Sequence, residues 1–401
     1  MGFMHFDESM EILNKIEVKQ FRRVKRYLVD TLGYVLAEDI VADHNSPSFP
    51  TAAMDGYAVR HEDLAQGRLE ILSINPAGSD LVESVQQGGC IKTFTGSLMP
   101  EGADTLIPIE NVQVEGNEIV IETMVPYGFS VRAVGENYAK GDRLIAEGTT
   151  INFTHIGVMA SLNVVTPWVY EKPKVAILST GSELVELGEV PISDAQIRSS
   201  NNYILEAIVK KYGGEPLQLG CIADNKESIL NGVASALEQS DIVVTTGGVS
   251  VGDFDFVKDV IVELGCDVLF KGVRIKPGQH IMIARREDKF IIALPGFAYS
   301  STVTALLYTV PFIAKLQHTG NPLKIVEAIL AEPFNKHIPK AEFTACNYQL
   351  KSGVYWVDFQ GKKSGTSAIL TNMLGSTALL ITTEDDQPKA VGDRVKILLI
   401  D

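Results

Sequence analysis

The sequence predicts a multidomain α/β-plus-β protein: a central, mostly parallel sheet covered by helices, with a β-rich module inserted ahead of it and a small β domain behind it. Three observations carry that expectation. Residues 174–317 alternate short apolar runs with helix-period segments, the pattern of buried strands joined by crossover helices. Residues 35–150 instead break into short β-like runs separated by glycines, and the chain after residue 320 does so again. The length of 401 residues exceeds the usual domain size of ~100–200, and 45% hydrophobic against 21% charged residues is enough to bury a core in each part.

The elements follow in chain order. Residues 9–30 (SMEILNKIEVKQFRRVKRYLVD) place apolar side chains at helical period, interrupted near Glu17 to Gln20. They predict a basic-faced helix packing by Met10, Ile12, Leu13 and Ile16. The runs YAVR, RLEILSI, CIKTFTG, ADTLIPIENVQVEGNEIVIET and RLIAEGTTI then predict the strands of the β module. KVAILST opens the α/β part, and SNNYILEAIVKKYGG reads as a helix closed by glycines. EPLQLGCI, the helix pattern NKESILNGVASALEQS, the strand DIVVTT, then FDFVKDVIVELG, DVLF and FIIALPG continue the alternation, and a last helix covers residues 299–317. After Gly320-Asn321-Pro322, VYWVDF, ALLITT and RVKILLI predict strands of the final domain. The expected partition is 1–34 with 140–172 as a discontinuous N-terminal part, 35–139 as the inserted module, 173–320 as the α/β domain and 321–401 as the C-terminal β domain.

Composition removes several classes of function. A net charge of −15 argues against a general nucleic-acid partner, which needs a basic surface to replace phosphate counterions. Cys90, Cys221, Cys266 and Cys346 stand apart, with no C-x-x-C pair, and the seven histidines form no ligand constellation. No uninterrupted apolar stretch of about 18 residues occurs, and the start MGFMHFDESMEIL is acidic where a signal peptide is basic, so no membrane partner and a cytoplasmic location are expected. G-x-G-x-x-G and G-x-x-x-x-G-K-[ST] loops are both absent, which argues against a generic nucleotide-binding α/β enzyme.

In open α/β sheets ligands bind beyond the carboxyl ends of the strands. Three polar or glycine-rich loops fall there: STGSEL (179–184), TTGGVSVGDFD (245–255) and LPGFAYSS (294–301). Gly247 and Gly248 let backbone N–H groups approach an anion, Ser250 adds a hydroxyl and the following helix adds its dipole, a set that suits phosphate. Taken alone, the two glycines are equally served by a tight turn without a ligand. Asp253 and Asp255 stand at the helix start, where an acid also caps; beside a phosphate they become candidate Mg²⁺ ligands, Asp253 leaning to capping and Asp255 to function. Glu183 and Asp224 occupy equivalent loops after neighbouring strands, and Lys271, Arg274 and Lys276 gather around a proline turn. Asp55 in SFPTAAMDGYAV reads locally as a D-G turn, and KTFTG and RAVGEN are ambiguous by themselves.

Taken together, AAMDGYAV (52–59), TFTGSLMPEGAD (93–104), STGSEL, TTGGVSVGDFDFVK (245–258), IKPG (275–278) and LPG (294–296) resemble the molybdopterin molybdenumtransferase (MoeA) family, which includes the gephyrin E domain. The resemblance runs in order from about residue 47 to the C-terminus. It implies an elongated, four-part homodimer whose N-terminal part serves dimerisation and whose central domain is like the smaller molybdopterin-binding proteins. The implied activity is insertion of molybdate (or tungstate) into adenylylated molybdopterin, with Mg²⁺ and release of AMP, in a cleft between the central domain of one subunit and the β module of the other. Other molybdenum-cofactor assembly proteins are implied as partners. By the same resemblance Asp55, Thr95, Glu183, Asp224, Asp255 and Lys276 are catalytic, with Asp55, Glu183, Asp224 and Asp255 holding the metal ion. Thr180, Gly181, Gly247, Gly248, Val249, Ser250 and Asp253 would contact the pterin nucleotide from two loops. Lys271, Pro277, Gly278, Pro295, Gly296 and Ser300 would do so from the others, and Arg132 and Glu136 match a further family segment whose GED is GEN here.

The departures gather where the oxyanion is expected. The family reads KPGKP where this chain has KPGQH, placing Gln279 and His280; it reads LPGNP where Phe297 and Ala298 stand; and Ala345 occupies the place of an arginine after EFT. An arginine forks onto an oxyanion through charge-assisted bonds that alanine cannot supply. The alternative expectation is therefore a catalytically altered relative that binds molybdopterin nucleotide as a carrier or partner protein.

Overall fold

The structure, a computed structural model, describes residues 3–19, 22–79, 83–249, 256–363 and 368–400. The chain forms two compact units, one of Met1–Ala37, Gly148–Asn152 and Thr166–Asp401, the other of Glu38–Glu147 and Phe153–Val165. The first unit opens with α1 (Phe6–Lys15), whose Leu13 is buried while Met10, Ile12 and Ile16 pack on the same core. The helix expected over residues 9–30 stops there. Residues Arg23–Lys25 form β1, with Val24 opposite Val169. The segment RRVKR has one apolar side chain among four cations, so a helix would bring almost nothing to a core. As a strand it turns Val24 inward and leaves Arg23 and Lys25 exposed.

In the second unit, β2 (Gly56–Val59), β3 (Arg68–Asn75), β4 (Gly89–Thr93), β5 (Thr105–Pro108), β6 (Val112–Glu115) and β7 (Glu118–Ile121) make one six-stranded sheet, ordered β5-β2-β4-β3-β7-β6. Tyr57, Val59, Leu69, Ile107 and Ile119 form its core. α2 (Phe153–Ser161) belongs to this unit as well. Gly56 is not the turn glycine that the D-G pair suggests. It begins β2, and a Cβ there would collide with the carbonyl oxygen of Ile107 on the neighbouring strand.

The chain re-enters the first unit at β8 (Trp168–Tyr170), the partner of β1. The alternating segment then folds as β9 (Lys174–Thr180), α3 (Asn201–Lys211), β10 (Glu215–Ile222), α4 (Lys226–Gln239), β11 (Ile242–Thr246) and α5 (Val257–Glu263). It continues through β12 (Asp267–Lys271), β13 (Ile275–Lys276), β14 (Met282–Arg286), β15 (Lys289–Leu294), α6 (Ala298–Thr304) and α7 (Val310–Leu316). The sheet order is β10-β9-β11-β15-β14-β12; the first four strands are parallel, and β14 and β12 join antiparallel. Both faces are covered, as near-continuous apolar strands require. Val175 and Ile177 face a core shared with α3 and α7, while Ala176 and Leu178 face α4 and α5. Asn225 caps α4, its side-chain oxygen accepting from Ser228 N–H at 2.9 Å.

The remaining strands, β16 (Lys324–Leu330), β17 (Ala341–Lys351), β18 (Val354–Asp358), β19 (Thr377–Thr382) and β20 (Arg394–Leu399), pair in the ring β17-β18-β16-β20-β19 and back to β17. A closed five-stranded barrel results, filled by Leu330, Phe334, Val357, Leu380 and Ile397. β13 adds to it in parallel, Ile275 opposite Ala341 and Lys276 opposite Glu342. The α/β part therefore delivers its Lys-Pro-Gly turn directly onto the barrel. Among the described residues no helix is long and apolar enough to cross a membrane.

Candidate active site

Because β9, β10, β11 and β15 run parallel, their carboxyl ends lie along one edge. Thr180 ends β9 and the loop after it carries Gly181 and Glu183, that after β10 carries Asp224, and that after β11 carries Gly247, Gly248 and Val249. Pro295 and Gly296 follow β15. A buried polar network stiffens the floor: Ser179 Oγ donates to Asn202 Oδ1 at 2.6 Å and meets Thr246 Oγ1 at 2.7 Å. Gly247, at φ 88°, lies so close to this floor that a Cβ would stand 2.7 Å from the Thr180 carbonyl oxygen.

Above the strand ends, within the first unit, lies a cavity of about 1010 Å³. Thr180, Gly181, Glu183, Asp224, Gly247, Gly248 and Val249 line its sheet side, with Pro295, Gly296 and Ser300 beside them. Lys276, Pro277, Gly278, Gln279 and His280 line the side where β13 meets the barrel. Two buried acceptors of the wall, Thr180 Oγ1 and Asn201 Oδ1, have no hydrogen-bond partner among the described residues, while Asn201 Nδ2 donates to Gly296 O at 2.7 Å. Groups of this kind, buried beside open volume, are ready to bind a polar ligand.

The sequence-predicted residues divide as follows. Lys271 does not line the cavity; it ends β12, pairs with Met282 and is exposed to solvent. The turn that follows it is taken up by the N-terminal segment, where Met4 N–H donates to Gly272 O at 3.0 Å. Ser250, Asp253 and Asp255 lie outside the described residues. Asp55 and Thr95 belong to the second unit, where the structure brings them together: the Thr95 N–H and hydroxyl both donate to Asp55 Oδ1, at 2.8 and 2.7 Å. These bonds hold the Asp55 carboxyl below the usual carboxylate range. The Ala53 N–H donates to Ser130 O at 2.9 Å and Val131 pairs with Ala52, so a third segment runs beside the residues that precede Asp55, and within it Arg132 pairs with Glu136 at 3.1 Å.

Residues 4–163 match the family described as "MoeA N-terminal region (domain I and II)", and residues 176–315 that described as "Probable molybdopterin binding domain". The molybdopterin molybdenumtransferase of Haemophilus influenzae is 33% identical over 339 residues, covering 84% of this chain and 82% of that protein. This chain belongs to the molybdopterin molybdenumtransferase family. The Bacillus subtilis molybdopterin molybdenumtransferase is 30% identical over 388 residues, covering 93% and 89%. The molybdopterin biosynthesis MoeA protein of Pyrococcus horikoshii superposes with a TM-score of 0.83 at 29% identity over the whole of both chains. Membership places the protein in molybdenum cofactor biosynthesis, as a transferase acting on molybdopterin.

For a member of this family, the barrel side of the cavity is the part sequence reading missed. Asn335, His337, Lys340, Glu342, Lys362, Lys363 and Asn372 all line it. Glu342 is 3% exposed and stands 3.7 Å from Lys276 Nζ. Ala345, in the place of the family's arginine, sits in β17 opposite Leu379. Its N–H donates to Tyr299 Oη at 2.9 Å, and that hydroxyl donates on to Phe343 O at 3.1 Å. Burial pushes the Tyr299 phenol up to about 12. Phe297 lines the cavity and is 61% exposed. The signal for these residues was tertiary: pairing of β13 with β17 carries barrel side chains to the sheet edge.

Proposed function

We propose that this chain inserts molybdate or tungstate into adenylylated molybdopterin with release of AMP, that it requires Mg²⁺, and that it works as a cytoplasmic homodimer beside other cofactor-assembly proteins. The observation that carries the reading is the single cavity in which the glycine-rich strand ends face Lys276 and the barrel. The Gly247 N–H is taken by Leu294 O at 3.2 Å, so the Gly248 N–H is the one that suits a nucleotide phosphate, while Thr180 and Asn201 offer free acceptors and Lys276 stabilises negative charge as the phosphoanhydride is cleaved. Among the described residues no group of three or more His, Cys, Asp or Glu is placed to hold a metal ion. Glu183 and Asp224 in one cavity nevertheless fit Mg²⁺, which one or two carboxylates and substrate phosphates commonly share, and Asp255 and Asp55 are further candidates. Bound there, the ion would neutralise phosphate charge.

The test is AMP release from intact adenylylated molybdopterin. It is expected to depend on molybdate or tungstate, to vanish with a chelator and to return with Mg²⁺. Tight binding of the pterin nucleotide with no release above an enzyme-free control sinks the reading and favours the altered relative acting as a carrier.

A further inference from the structure

The cations of the cavity are not equivalent. Lys276 is answered by the buried Glu342 carboxylate. Lys362 is a structural post: its ammonium donates to the carbonyls of Asn372 and Leu374 at 2.8 and 3.0 Å and to Thr377 Oγ1 at 2.7 Å, and burial pushes its pKa down. Lys363 is exposed to solvent, and Lys340, half-buried, differs from all three. Its ammonium donates to the neutral Gln279 Oε1, and among the described residues no carboxylate pairs with it. An ammonium carries three donors, so one bond to an amide leaves both charge and hydrogen-bonding capacity at the cavity wall.

The position of Lys340 is built rather than incidental. Its N–H donates to Ile338 O at 2.9 Å, and its own carbonyl accepts from Lys336 Nζ at 2.9 Å. On either side, Pro339 O accepts from Arg274 at 3.0 Å, and Ala341 N–H donates to Arg274 O at 3.0 Å. The backbone is thereby tied to the same segment that carries Lys276. Gln279 is oriented from its other end, its amide nitrogen lying 3.0 Å from His280 Nε2, which leaves Oε1 for the lysine. A half-buried, pre-positioned ammonium facing open volume is what a tetrahedral oxyanion needs.

We propose that Lys340, positioned by Gln279, is the oxyanion-holding cation at the barrel end of the cavity. The proposal deepens the reading above by naming a residue of that same site. It also gives the altered KPGQH turn a use: the positive charge comes from the barrel, 61 residues further along the chain, and the turn supplies the group that aims it. The bound group is a metal oxyanion such as molybdate or tungstate, or a phosphate of the pterin nucleotide, since both present tetrahedral oxygens.

The experiment is equilibrium dialysis of the full-length protein against tungstate, inorganic phosphate and AMP in separate arms, for wild type, Lys340→Ala and Lys340→Arg. Thermal unfolding checks that each variant is folded. Loss of a charge-assisted bond predicts affinity about tenfold weaker in Lys340→Ala, with Lys340→Arg within a few-fold of wild type. A loss confined to tungstate assigns the metal oxyanion, and one shared by phosphate and AMP assigns the nucleotide. Equal affinities in wild type and a folded Lys340→Ala, or no anion binding by wild type, overturn the proposal. Lys340-dependent binding without AMP release overturns only the transfer reading.

Discussion

Asp55 and Thr95 lie 40 residues apart in the sequence, yet one carboxylate oxygen takes both donors of the threonine. Local reading gave Asp55 only a turn role, because the partner that fixes it arrives through sheet pairing of β2 with β4. Since these bonds depress the Asp55 pKa, the contact contributes stability above the unfolded carboxylate value of about 3.9 and loses it as pH falls through the lower folded value. Thr95→Val removes the hydroxyl donor and leaves the backbone one, so the Asp55 pKa is expected to rise part of the way to its ordinary value. Carbon-detected NMR titration measures this, and an unchanged midpoint would mean that the hydroxyl bond is not made in solution. At Gly247 the sequence was legible in kind, since two glycines after a strand do mark a close approach; the structure adds what is approached. Gly247→Ala combines a left-handed φ with a clash against the Thr180 carbonyl, and is expected to cost at least about 1–2 kcal/mol by urea unfolding. A shift within a few tenths of a kcal/mol would show that the loop relaxes freely.

Among elements, those with strong local patterns were the ones the sequence revealed. KVAILST and DIVVTT are buried on both faces, so their apolar runs are unbroken and became β9 and β11. The hairpin of β14 with β15 was half seen, because IMIARRED ends in charges that mask a strand whose first residues are buried. Residues 23–25 misled because a basic stretch after a helix continues its period by eye, whereas its one valine finds Val169 only in three dimensions. The join between the α/β part and the barrel was not legible, since the pairing of β13 with β17 and the two hydrogen bonds through one phenol are formed only in three dimensions. Tyr299 Oη accepts from Ala345 N–H and donates to Phe343 O, both on β17. Tyr299→Phe leaves two buried backbone groups unpaired and is expected to destabilise by about 1–3 kcal/mol. Hydrogen exchange should show the extra opening at Ala345 and its neighbours on β17. Unchanged stability with unchanged protection of Ala345 would mean that water replaces the phenol.

At the scale of the whole molecule, the proposed catalytic residues fall in two compact units: Glu183, Asp224 and Lys276 in the first, Asp55 and Thr95 in the second. If the proposed homodimer builds each site from the first unit of one subunit and the second unit of its partner, the two groups can be separated genetically. Asp55→Asn and Lys276→Ala are each expected to abolish most AMP release, because one removes a carboxylate and the other the cation of the Lys-Pro-Gly turn. Mixed and allowed to exchange subunits, they form mixed dimers in half of the population. In each mixed dimer one site carries both defects and the other carries neither. Activity should therefore return to about one quarter of wild type, the share of intact sites set by random pairing in a two-fold assembly. The measurement is AMP release after co-refolding of equimolar variants, with sedimentation confirming the dimer. If the dimer exchanges and no activity returns, Asp55 and Lys276 of the same chain serve the same site. A monomer at working concentration removes the shared cleft altogether.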